Sequence, residues 1–388
     1  MREVAVMGVG MTKFGPTRLN LKELFAEAAL EAIEQSNLQP ADVQALFVGN
    51  VLGDFAEGQM NLSGFLANEI GLGPHVPATR LEGACATASM AFRDAFMWVA
   101  AGFYDIVLVG GVEKVSHMGT PLATRTFAMA TDSHYEELCG LTFPGVFAML
   151  AHLYADKYGI PLSTLKQYMA RVAVKNHHNG TMNPLAQFQS EITMEKVLNG
   201  PMVCDPIQLY DCCPFSDGAA AAIIATRELA RERMLKPIKV LGVGQGSAGA
   251  LSRQKDYTVM QSRVASAGQA YKMAGIEPRD IDLCELHDCF TIAEIVAGEC
   301  LGFFDFGTGG AAVENGETDI GGRIPINPSG GLKAKGHPIG ATGCAQVYEI
   351  VKQLRGECGA RQVDGARIGM TDTLGGDAGT VVNLILGL

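Results

Sequence analysis

The amino-acid sequence predicts an α/β protein built from two similar halves, with an insertion in the first half. Apolar runs of strand length alternate with stretches of helix length, as expected for strands covered by helices. Pro40 and Asp42 recur as Pro278 and Asp280, and this self-similarity indicates duplication of one unit. The chain has 388 residues, 48% of them hydrophobic, which is enough for a large core.

The first half begins with a strand and a helix. Residues 4–8 are an apolar run typical of a buried strand, and Asn20 can cap the helix that follows. The apolar residues of this helix lie largely on one face, at Leu21, Leu24, Phe25, Ala28 and Ile33. Residues 45–48 predict the next buried strand, and residues 283–286 predict its counterpart in the second half.

Two further helix–strand pairs complete the repeat. In the first half, a small-residue helix over residues 85–102 precedes a strand at 105–111. In the second half, the glycine-rich residues 336–343 lead into a helix that precedes a strand at 367–370. Residues 217–224 predict the buried strand that closes the first half. Alternating units of this kind favour largely parallel sheets, with functional groups near strand carboxyl ends and helix amino ends.

Composition and charge exclude several classes of function. The net charge of −11 argues against a nucleic-acid-binding surface and against anionic membranes as partners. The apolar stretch at residues 96–111 contains Asp105, so it predicts a buried helix and strand and not a membrane span. We recognise no signal peptide, and the ten scattered cysteines suit a reducing compartment, so we expect a cytoplasmic protein.

We expect no metal site and no nicotinamide site. The sequence has no Cys-x-x-Cys pair, which argues against structural zinc. His177 and His178 lack a third ligand at metal spacing, so they are expected to be a solvated polar pair. The glycines at residues 242–246 do not complete a dinucleotide-binding pattern.

Four residues form a candidate set for acyl transfer through a thioester: Cys85, His287, Cys289 and His337. Cys85 falls where a helix is predicted to begin, and the positive end of the helix dipole would favour its thiolate. Each residue alone has a simpler interpretation, because free cysteines are usually buried and polar groups near helix ends are usually structural. The functional interpretation therefore depends on the motifs that contain them.

Three motifs give the chain a resemblance to the thiolase family. They are Glu-Gly-Ala-Cys-Ala-Thr-Ala-Ser at residues 82–89, His-Asp-Cys-Phe at 287–290 and Gly-His-Pro-Ile-Gly-Ala-Thr-Gly at 336–343. The chain resembles thiolases over nearly its whole length, and His-Asp-Cys-Phe resembles the sterol-carrier-protein-type and partner-dependent subgroup. The resemblance implies the thiolase fold, in which duplicated βαβαβ halves form a five-layered αβαβα arrangement with an inserted loop domain.

The resemblance also implies domain limits. The N-terminal thiolase half would comprise residues 1–117 and 201–236, the loop domain residues 118–200, and the C-terminal half residues 237–388. In thiolases the loop domain covers the active site and contributes to the coenzyme A pocket. Here the insertion is short for a thiolase. In thiolases with a reduced loop, a separate partner with a zinc ribbon and an oligonucleotide-binding fold helps to hold the coenzyme.

The family assigns a role to each candidate residue. Cys85 would take the acyl group, His337 would accept its proton, and Cys289 would move the α-proton of the second substrate. His287 and His337 would form the oxyanion hole for the enolate, and the N–H groups of Cys85 and Gly375 would form a second one. Most thiolases have a basic cysteine at the position of Thr373; a threonine is too weak an acid for that role, so Cys289 is expected to replace it.

Two other predicted site residues support the reactive groups. Asn327 lies in a glycine-rich turn that shapes the site, and Gly340 allows close backbone approach. Pro338 is expected in the first turn of the following helix, where its missing N–H costs nothing. No cofactor is expected to be bound permanently, because the coenzyme A thioester is substrate and product.

The resemblance therefore implies an acyltransferase that makes or cleaves a carbon–carbon bond of a 3-oxoacyl-CoA by Claisen condensation or its reverse. We expect an acetyl-CoA acetyltransferase of lipid metabolism, active as a cytoplasmic homodimer and in a multienzyme complex with the zinc-ribbon partner. Two alternatives stay open. One is the thiolase subunit of a benzoylsuccinyl-CoA thiolase of anaerobic toluene degradation, and the other is a non-catalytic scaffold that binds acyl-CoA or lipid.

Overall fold

A nine-stranded sheet runs through the computed structural model, which describes residues 1–234 and 236–388. The strands are β1 (Val4–Met11), β2 (Ala45–Gly49), β3 (Ala78–Leu81), β4 (Ile106–Glu113), β5 (Met202–Cys204), β6 (Ile207–Gln208), β7 (Gly218–Thr226), β8 (Ile238–Ser247), β9 (Leu283–Glu285), β10 (Ile368–Gly375) and β11 (Thr380–Gly387). Strands β5 and β6 form a separate two-stranded sheet.

The helices fill the connections between these strands. They are α1 (Leu21–Gln35), α2 (Gly53–Ala56), α3 (Leu62–Glu69), α4 (Thr87–Ala101), α5 (Gly119–Ala128), α6 (Phe143–Tyr158), α7 (Leu162–Thr181), α8 (Met194–Leu198), α9 (Arg227–Arg233), α10 (Gln261–Ala274), α11 (Thr291–Cys300), α12 (Gly309–Glu314), α13 (Gly331–Ala334) and α14 (Thr342–Arg355). Within the described ranges, no helix combines the length and the apolar character that crossing a bilayer requires.

The strand order confirms the predicted duplication. The order is β3-β2-β4-β7-β1-β8-β11-β10-β9, so the first strand of each half lies at the centre and the others follow outwards in the same sequence. The halves meet where β1 pairs with β8, with Ala5 opposite Lys239 and Val6 opposite Ile238. The repeat therefore relates β1, β7, β4 and β2 to β8, β11, β10 and β9.

The expectation of largely parallel sheets is wrong. Only β2–β3, β2–β4 and β9–β10 are parallel pairs among the described strands. The closing strand of the first half, β7, lies between β1 and β4 and runs antiparallel to both. The closing strand of the second half, β11, lies between β8 and β10 and also runs antiparallel to both. The sheet is mixed because the closing strand returns through the middle of its half.

Helices cover both faces of the sheet and lie between the two halves. α4 and α14 pack against each other, and their buried residues Phe92 and Val347 share one hydrophobic cluster with strand residues of both halves, such as Val109 and Leu384. α1 packs on the outer side of the first half and α10 on that of the second. These layers confirm the predicted αβαβα arrangement.

Asn20 caps the N-terminal end of α1, as the sequence predicts. The Asn20 side chain accepts hydrogen bonds from the N–H groups of Lys22 and Glu23, and the Glu23 carboxylate accepts one from the Asn20 N–H. This reciprocal capping box satisfies backbone donors that the helix itself cannot pair. The predicted apolar residues of α1 are buried against the first half.

The segment between β4 and β7 is mainly helical. Helices α6 and α7 pack against α11, and α7 also packs against α12 and α13 of the second half. Phe147 of α6 stacks on Phe290, with 4.5 Å between the ring centroids. The segment is thereby fixed against helices of the second half. The domain limits derived from the resemblance remain a prediction.

Candidate active site

The four candidate catalytic residues line one cavity of about 320 Å³. They come from the turn before α4, the segment after β9 and the turn before α14. The remaining wall is mostly apolar, with Val51, Leu52, Phe127, Phe143, Phe215, Phe290 and Ile339 among its residues. The sulfur of Cys85 and one ring nitrogen each of His287 and His337 lie within 4.8 Å of one another. The structure therefore brings the predicted set together.

Cys85 lies in a short 3-10 turn, Ala84–Ala86, immediately before α4. The hydroxyl of Thr87 fixes this turn, because it accepts the Gly83 N–H at 2.8 Å and donates to the Ala84 carbonyl at 2.6 Å. Ala84 has a φ of +49°, a strained value for a residue with a Cβ. The turn thus holds the thiol at the cavity wall and not on the helix itself.

The ionisation of Cys85 is governed mainly by its burial. Burial raises the pKa of the Cys85 thiol to about 12, against the opposing effect of the Gly376 N–H that donates to it. The negative charge of Glu113 raises this pKa further. Because burial disfavours the charged form, the thiol is protonated at rest, and the helix dipole alone does not supply the thiolate. The nucleophile must be generated by proton transfer.

His337 is held in the tautomer that can receive this proton. Its Nδ1 is 2.7 Å from the hydroxyl of Thr342, and that hydroxyl points to the Pro338 carbonyl at 3.1 Å. Because the hydroxyl proton goes to the carbonyl, we assign the proton on the ring to Nδ1, which leaves Nε2 as an acceptor. Burial and the charge of Lys335 lower the pKa of His337 to about 3, so the ring is neutral.

The turn that carries His337 differs in one respect from the prediction. α14 begins at Thr342, so Pro338 is not in its first turn. Instead the Pro338 carbonyl accepts the N–H groups of Ala341 and Thr342 and forms a separate turn. The His337 N–H donates to the Ser216 hydroxyl at 2.8 Å. Backbone and side chain of His337 are therefore fixed by different hydroxyls.

His287 faces His337 edge to face, with 5.0 Å between the ring centroids. Its backbone N–H points to the carboxylate of Asp372 at 3.4 Å, and Asp372 forms a buried ion pair with Arg263 at 3.0 Å. Burial and the neighbouring His337 lower the pKa of His287 well below its ordinary value. Two neutral imidazoles at one point of the cavity suit the stabilisation of an oxyanion.

Cys289 is buried beside the cavity, whereas Thr373 is not among its lining residues. The Thr373 hydroxyl is 2.7 Å from the Ser89 hydroxyl and donates to the Gln346 side chain, also at 2.7 Å. Thr373 is thus part of a buried hydrogen-bond network between α4, α14 and β10. Burial raises the pKa of Cys289, so its thiol is protonated at rest.

The predicted supporting residues lie next to the reactive ones. Asn327 has a φ of +56°, and its side chain accepts the Leu286 N–H at 2.9 Å, one residue before His287. The Gly340 N–H donates to the carboxylate of Glu113, and a Cβ at Gly340 would come within 2.8 Å of that carboxylate. Both residues therefore hold the segments that carry the histidines.

Gly375 is the exception among the predicted site residues. The N–H that reaches the Cys85 thiol belongs to Gly376, which also lines the cavity. Gly375 instead packs against the backbone of Gly83, where an added Cβ would come within 2.3 Å of the carbonyl oxygen. Gly375 is the last residue of β10, and Gly376 follows it. The assignment of the Gly375 N–H to the second oxyanion hole stays a prediction.

Glu113 is a buried site residue that sequence reasoning missed. Its carboxylate accepts hydrogen bonds from the Val51 and Leu52 N–H groups at 2.9 and 3.2 Å and from the Asn50 side chain at 3.0 Å. Burial raises the pKa of Glu113 to about 7. An acidic residue at the end of an otherwise apolar strand was the available signal. Glu113 links the cavity wall to the turn of His337 through Gly340.

The histidine pair 177–178 also differs from its prediction. His177 is buried and its ring stacks on Phe188, with centroids 5.8 Å apart, and burial lowers its pKa to about 4. His178 is exposed and lies 2.7 Å from the carboxylate of Glu191. The pair is therefore not a solvated unit, because adjacent residues on α7 face in different directions.

Comparison with known proteins agrees with this arrangement. The family model for the thiolase N-terminal domain matches residues 4–228, and the model described as thiolase C-terminal domain-like matches residues 244–388. Among solved structures, that of the Ltp2-ChsH2(DUF35) aldolase superposes with a TM-score of 0.83, at 27% identity, over 99% of this chain and 97% of the other.

Curated relatives are similar over nearly the whole chain. An acetyl-CoA acetyltransferase of Methanothermobacter thermautotrophicus is 47% identical over 98% of this chain and 98% of its own. The benzoylsuccinyl-CoA thiolase subunit BbsB of Thauera aromatica is 37% identical, covering 97% and 95%. Sterol carrier protein 2 of Bos taurus is 34% identical, covering 98% and 72%. The chain therefore belongs to the thiolase family of acyltransferases.

Proposed function

We propose that the chain catalyses the thiolase reaction on acetyl groups, in which two acetyl-CoA molecules form acetoacetyl-CoA and free coenzyme A, or the reverse. The observation that carries this proposal is the position of the Cys85 thiol within 4.8 Å of a ring nitrogen of His337 in one apolar cavity. The 47% identity to an acetyl-CoA acetyltransferase supports the choice of acyl group.

The protons balance in a two-stage cycle. Cys85 gives its proton to Nε2 of His337 and attacks the acetyl carbonyl, and the departing coenzyme A thiolate takes the proton of Cys289. The Cys289 thiolate then removes an α-proton from the second acetyl-CoA. The His337 imidazolium and His287 hold the enolate oxygen, and the enolate attacks the acyl thioester. The released Cys85 sulfur regains its proton from His337.

The acyl-enzyme intermediate gives a direct test. Intact-protein mass spectrometry after incubation with acetyl-CoA should show one added acetyl group, and Cys85→Ser should show none. Cys344→Ser is a suitable control, since Cys344 is buried and lies outside the cavity lining. An acetyl adduct that persists in Cys85→Ser would contradict the assignment of the nucleophile.

A larger aromatic acyl group is the second candidate. Four phenylalanines line the cavity: Phe127, Phe143, Phe215 and Phe290. The 37% identity to a benzoylsuccinyl-CoA thiolase subunit points in the same direction. Competition between acetoacetyl-CoA and benzoylsuccinyl-CoA as cleavage substrates would distinguish the two, because the ratio of their kcat/KM values reports specificity. A higher value for acetoacetyl-CoA is the expected result.

The scaffold alternative is disfavoured by the intact reactive set. A protein that only binds acyl-CoA or lipid has no need of two neutral histidines and two thiols around one cavity. Its test is the same acetylation experiment, repeated with a partner subunit added. Acyl-CoA binding without any covalent adduct under both conditions would favour the scaffold.

We also propose a partner subunit with a zinc ribbon and an oligonucleotide-binding fold. No lysine or arginine is among the residues that line the cavity in the described part of the chain, so the coenzyme phosphates have little to bind there. The name of the structurally similar Ltp2-ChsH2(DUF35) aldolase includes a DUF35 component. The chain alone should bind acetyl-CoA weakly, and full activity of the purified single chain would contradict this proposal.

A homodimer is proposed for the same enzyme. β3 lies at the edge of the sheet, with β2 on one side only, and the nearby Phe55 and Phe65 are exposed. Light scattering should give about twice the 41.1 kDa of one chain, and a monomer mass would contradict the dimer.

A cytoplasmic location and a role in lipid metabolism are part of this proposal. All ten cysteines are free thiols, which suits a reducing compartment. Cell fractionation tests the location.

A further inference from the structure

Cys213 and Cys289 lie on neighbouring segments in the wall of the cavity. Cys212 and Phe290 form an isolated antiparallel bridge, and the N–H of Cys213 donates to the carbonyl of Cys289 at 2.9 Å. In an antiparallel pair the residues next to a bridge are also opposite each other, so Cys213 lies opposite Cys289. Directly opposite residues in such a pair extend to the same side. Both cysteines line the cavity.

The separation suits a disulfide after a small adjustment. Opposite residues that share a hydrogen bond have Cα atoms about 5.5 Å apart, and disulfides span about 4.4–6.8 Å between Cα atoms. The Cβ atoms of such a pair must approach by roughly 1 Å for the bond to form. A bridge of one residue pair can shift more easily than a long ladder. The resulting strain would make the bond readily reducible.

Lys333 places a positive charge near Cys213, and the proposed catalytic cycle does not use this charge. Lys333 is 1% exposed, and its Nζ has no hydrogen-bond partner among the described residues. Burial raises the pKa of the Cys213 thiol, and the charge of Lys333 acts in the opposite direction. Burial also raises the pKa of Cys212 and of Asp288, and the charge of Lys333 opposes both increases. Lys333 therefore lies close enough to stabilise a thiolate at this wall.

We propose that Cys213 and Cys289 form a reversible disulfide when a small peroxide enters the cavity, and that this bond switches off the enzyme. One thiol is oxidised by hydrogen peroxide to a sulfenic acid with release of water. The other thiol then attacks this sulfur, a second water leaves, and the disulfide forms. A dithiol reductant reverses the step. The disulfide follows from geometry alone, whereas the loss of activity rests on the proposed role of Cys289 as the base.

The test is peroxide treatment of the full-length protein, followed by peptide mapping without reduction. We expect a linked peptide that contains Cys213 and Cys289, at least a tenfold loss of thiolase activity, and recovery with dithiothreitol. Cys213→Ser should abolish the linked peptide and most of the recoverable loss. Cys212→Ser is the matched control, because Cys212 also lines the cavity, and it should behave as the wild type.

Several results would overturn the proposal. A link between Cys85 and Cys289 in place of the expected one, or no linked peptide in the wild type, would contradict the disulfide; this measurement does not depend on a variant that folds. Equal recoverable loss in Cys213→Ser would contradict it as well. A linked peptide with full activity would leave the disulfide in place and overturn both the switch and the role of Cys289.

Discussion

At the scale of single residues, the four reactive groups of the site are neutral at rest. Burial raises the pKa of Cys85 and lowers that of His337, so desolvation keeps the pair from forming thiolate and imidazolium before substrate binds. The Thr342 hydroxyl then decides which nitrogen of His337 is free. Reactivity is therefore produced by proton transfer during the reaction and not by a preformed ion pair.

This resting state predicts the pH dependence of alkylation at Cys85. With a pKa of about 12, the thiolate fraction should rise tenfold per pH unit, since a thiol below its pKa gains anion as the pH rises. His337, with a pKa of about 3, does not titrate in the neutral range. The iodoacetamide rate, followed by mass spectrometry, should increase with unit slope between about pH 6 and pH 9. A plateau at low pH would indicate a preformed ion pair.

The Thr342 hydroxyl provides a second residue-scale prediction. Thr342→Val removes the oxygen that holds Nδ1 of His337, so the ring can adopt the wrong tautomer. We expect kcat to fall by roughly ten- to a hundredfold, the effect of losing a buried hydrogen bond worth about 1–3 kcal/mol, with little change in KM. Thr342→Ser keeps the hydroxyl and should restore most of kcat. Equal activity of the Val and Ser variants would refute the tautomer assignment.

At the scale of elements, close contact between α4 and α14 holds the two reactive turns together. An added Cβ at Gly343 of α14 would come within 2.1 Å of the Ser89 hydroxyl and 2.4 Å of the Ser89 backbone nitrogen in α4. The first residues of both helices therefore approach each other because Gly343 has no side chain. This places the turns of Cys85 and His337 on the same side of the molecule.

Gly343→Ala should separate the helices and destabilise the protein. Overpacking against backbone typically costs about 1–3 kcal/mol, and thiolase activity should fall with it because both reactive turns move. Gly268→Ala in α10 is the matched control, since a Cβ there meets no atom within 4 Å. That variant should gain about 0.5–1 kcal/mol from the helix preference for alanine. Urea unfolding of both variants measures the difference, and equal stabilities would contradict the close-contact argument.

The same elements explain how far the sequence could predict the structure. Apolar runs and the Asn20 cap located the strands and helices, because burial and capping leave a local pattern in the sequence. The direction of β7 and β11 left no such pattern, since it depends on where each strand inserts in the sheet. The motifs located Cys85 and His337 but not Glu113, whose role arises from hydrogen bonds with two distant segments, residues 50–52 and Gly340.

At the scale of the whole molecule, the two halves share one core. The strands of the halves meet over a short contact between β1 and β8, but α4 and α14 lie between them. The hydrophobic cluster around these helices contains Phe92, Val109, Val347 and Leu384, from both halves. If one half unfolded, the cluster residues of the other half would be exposed to water as well. The cavity at the junction therefore needs both halves to be folded.

Coupling through this core predicts that the halves unfold together. The chain has a single tryptophan, Trp98, at the end of α4 in the first half, whereas far-ultraviolet circular dichroism follows helices throughout the chain. Because the shared cluster must open as a unit, urea unfolding curves from the two probes should coincide, with one midpoint. Gly343→Ala should shift both curves by the same amount, since it acts at the interface between the helices. Two separated midpoints, or a shift in the fluorescence curve alone, would show that each half retains an independent core.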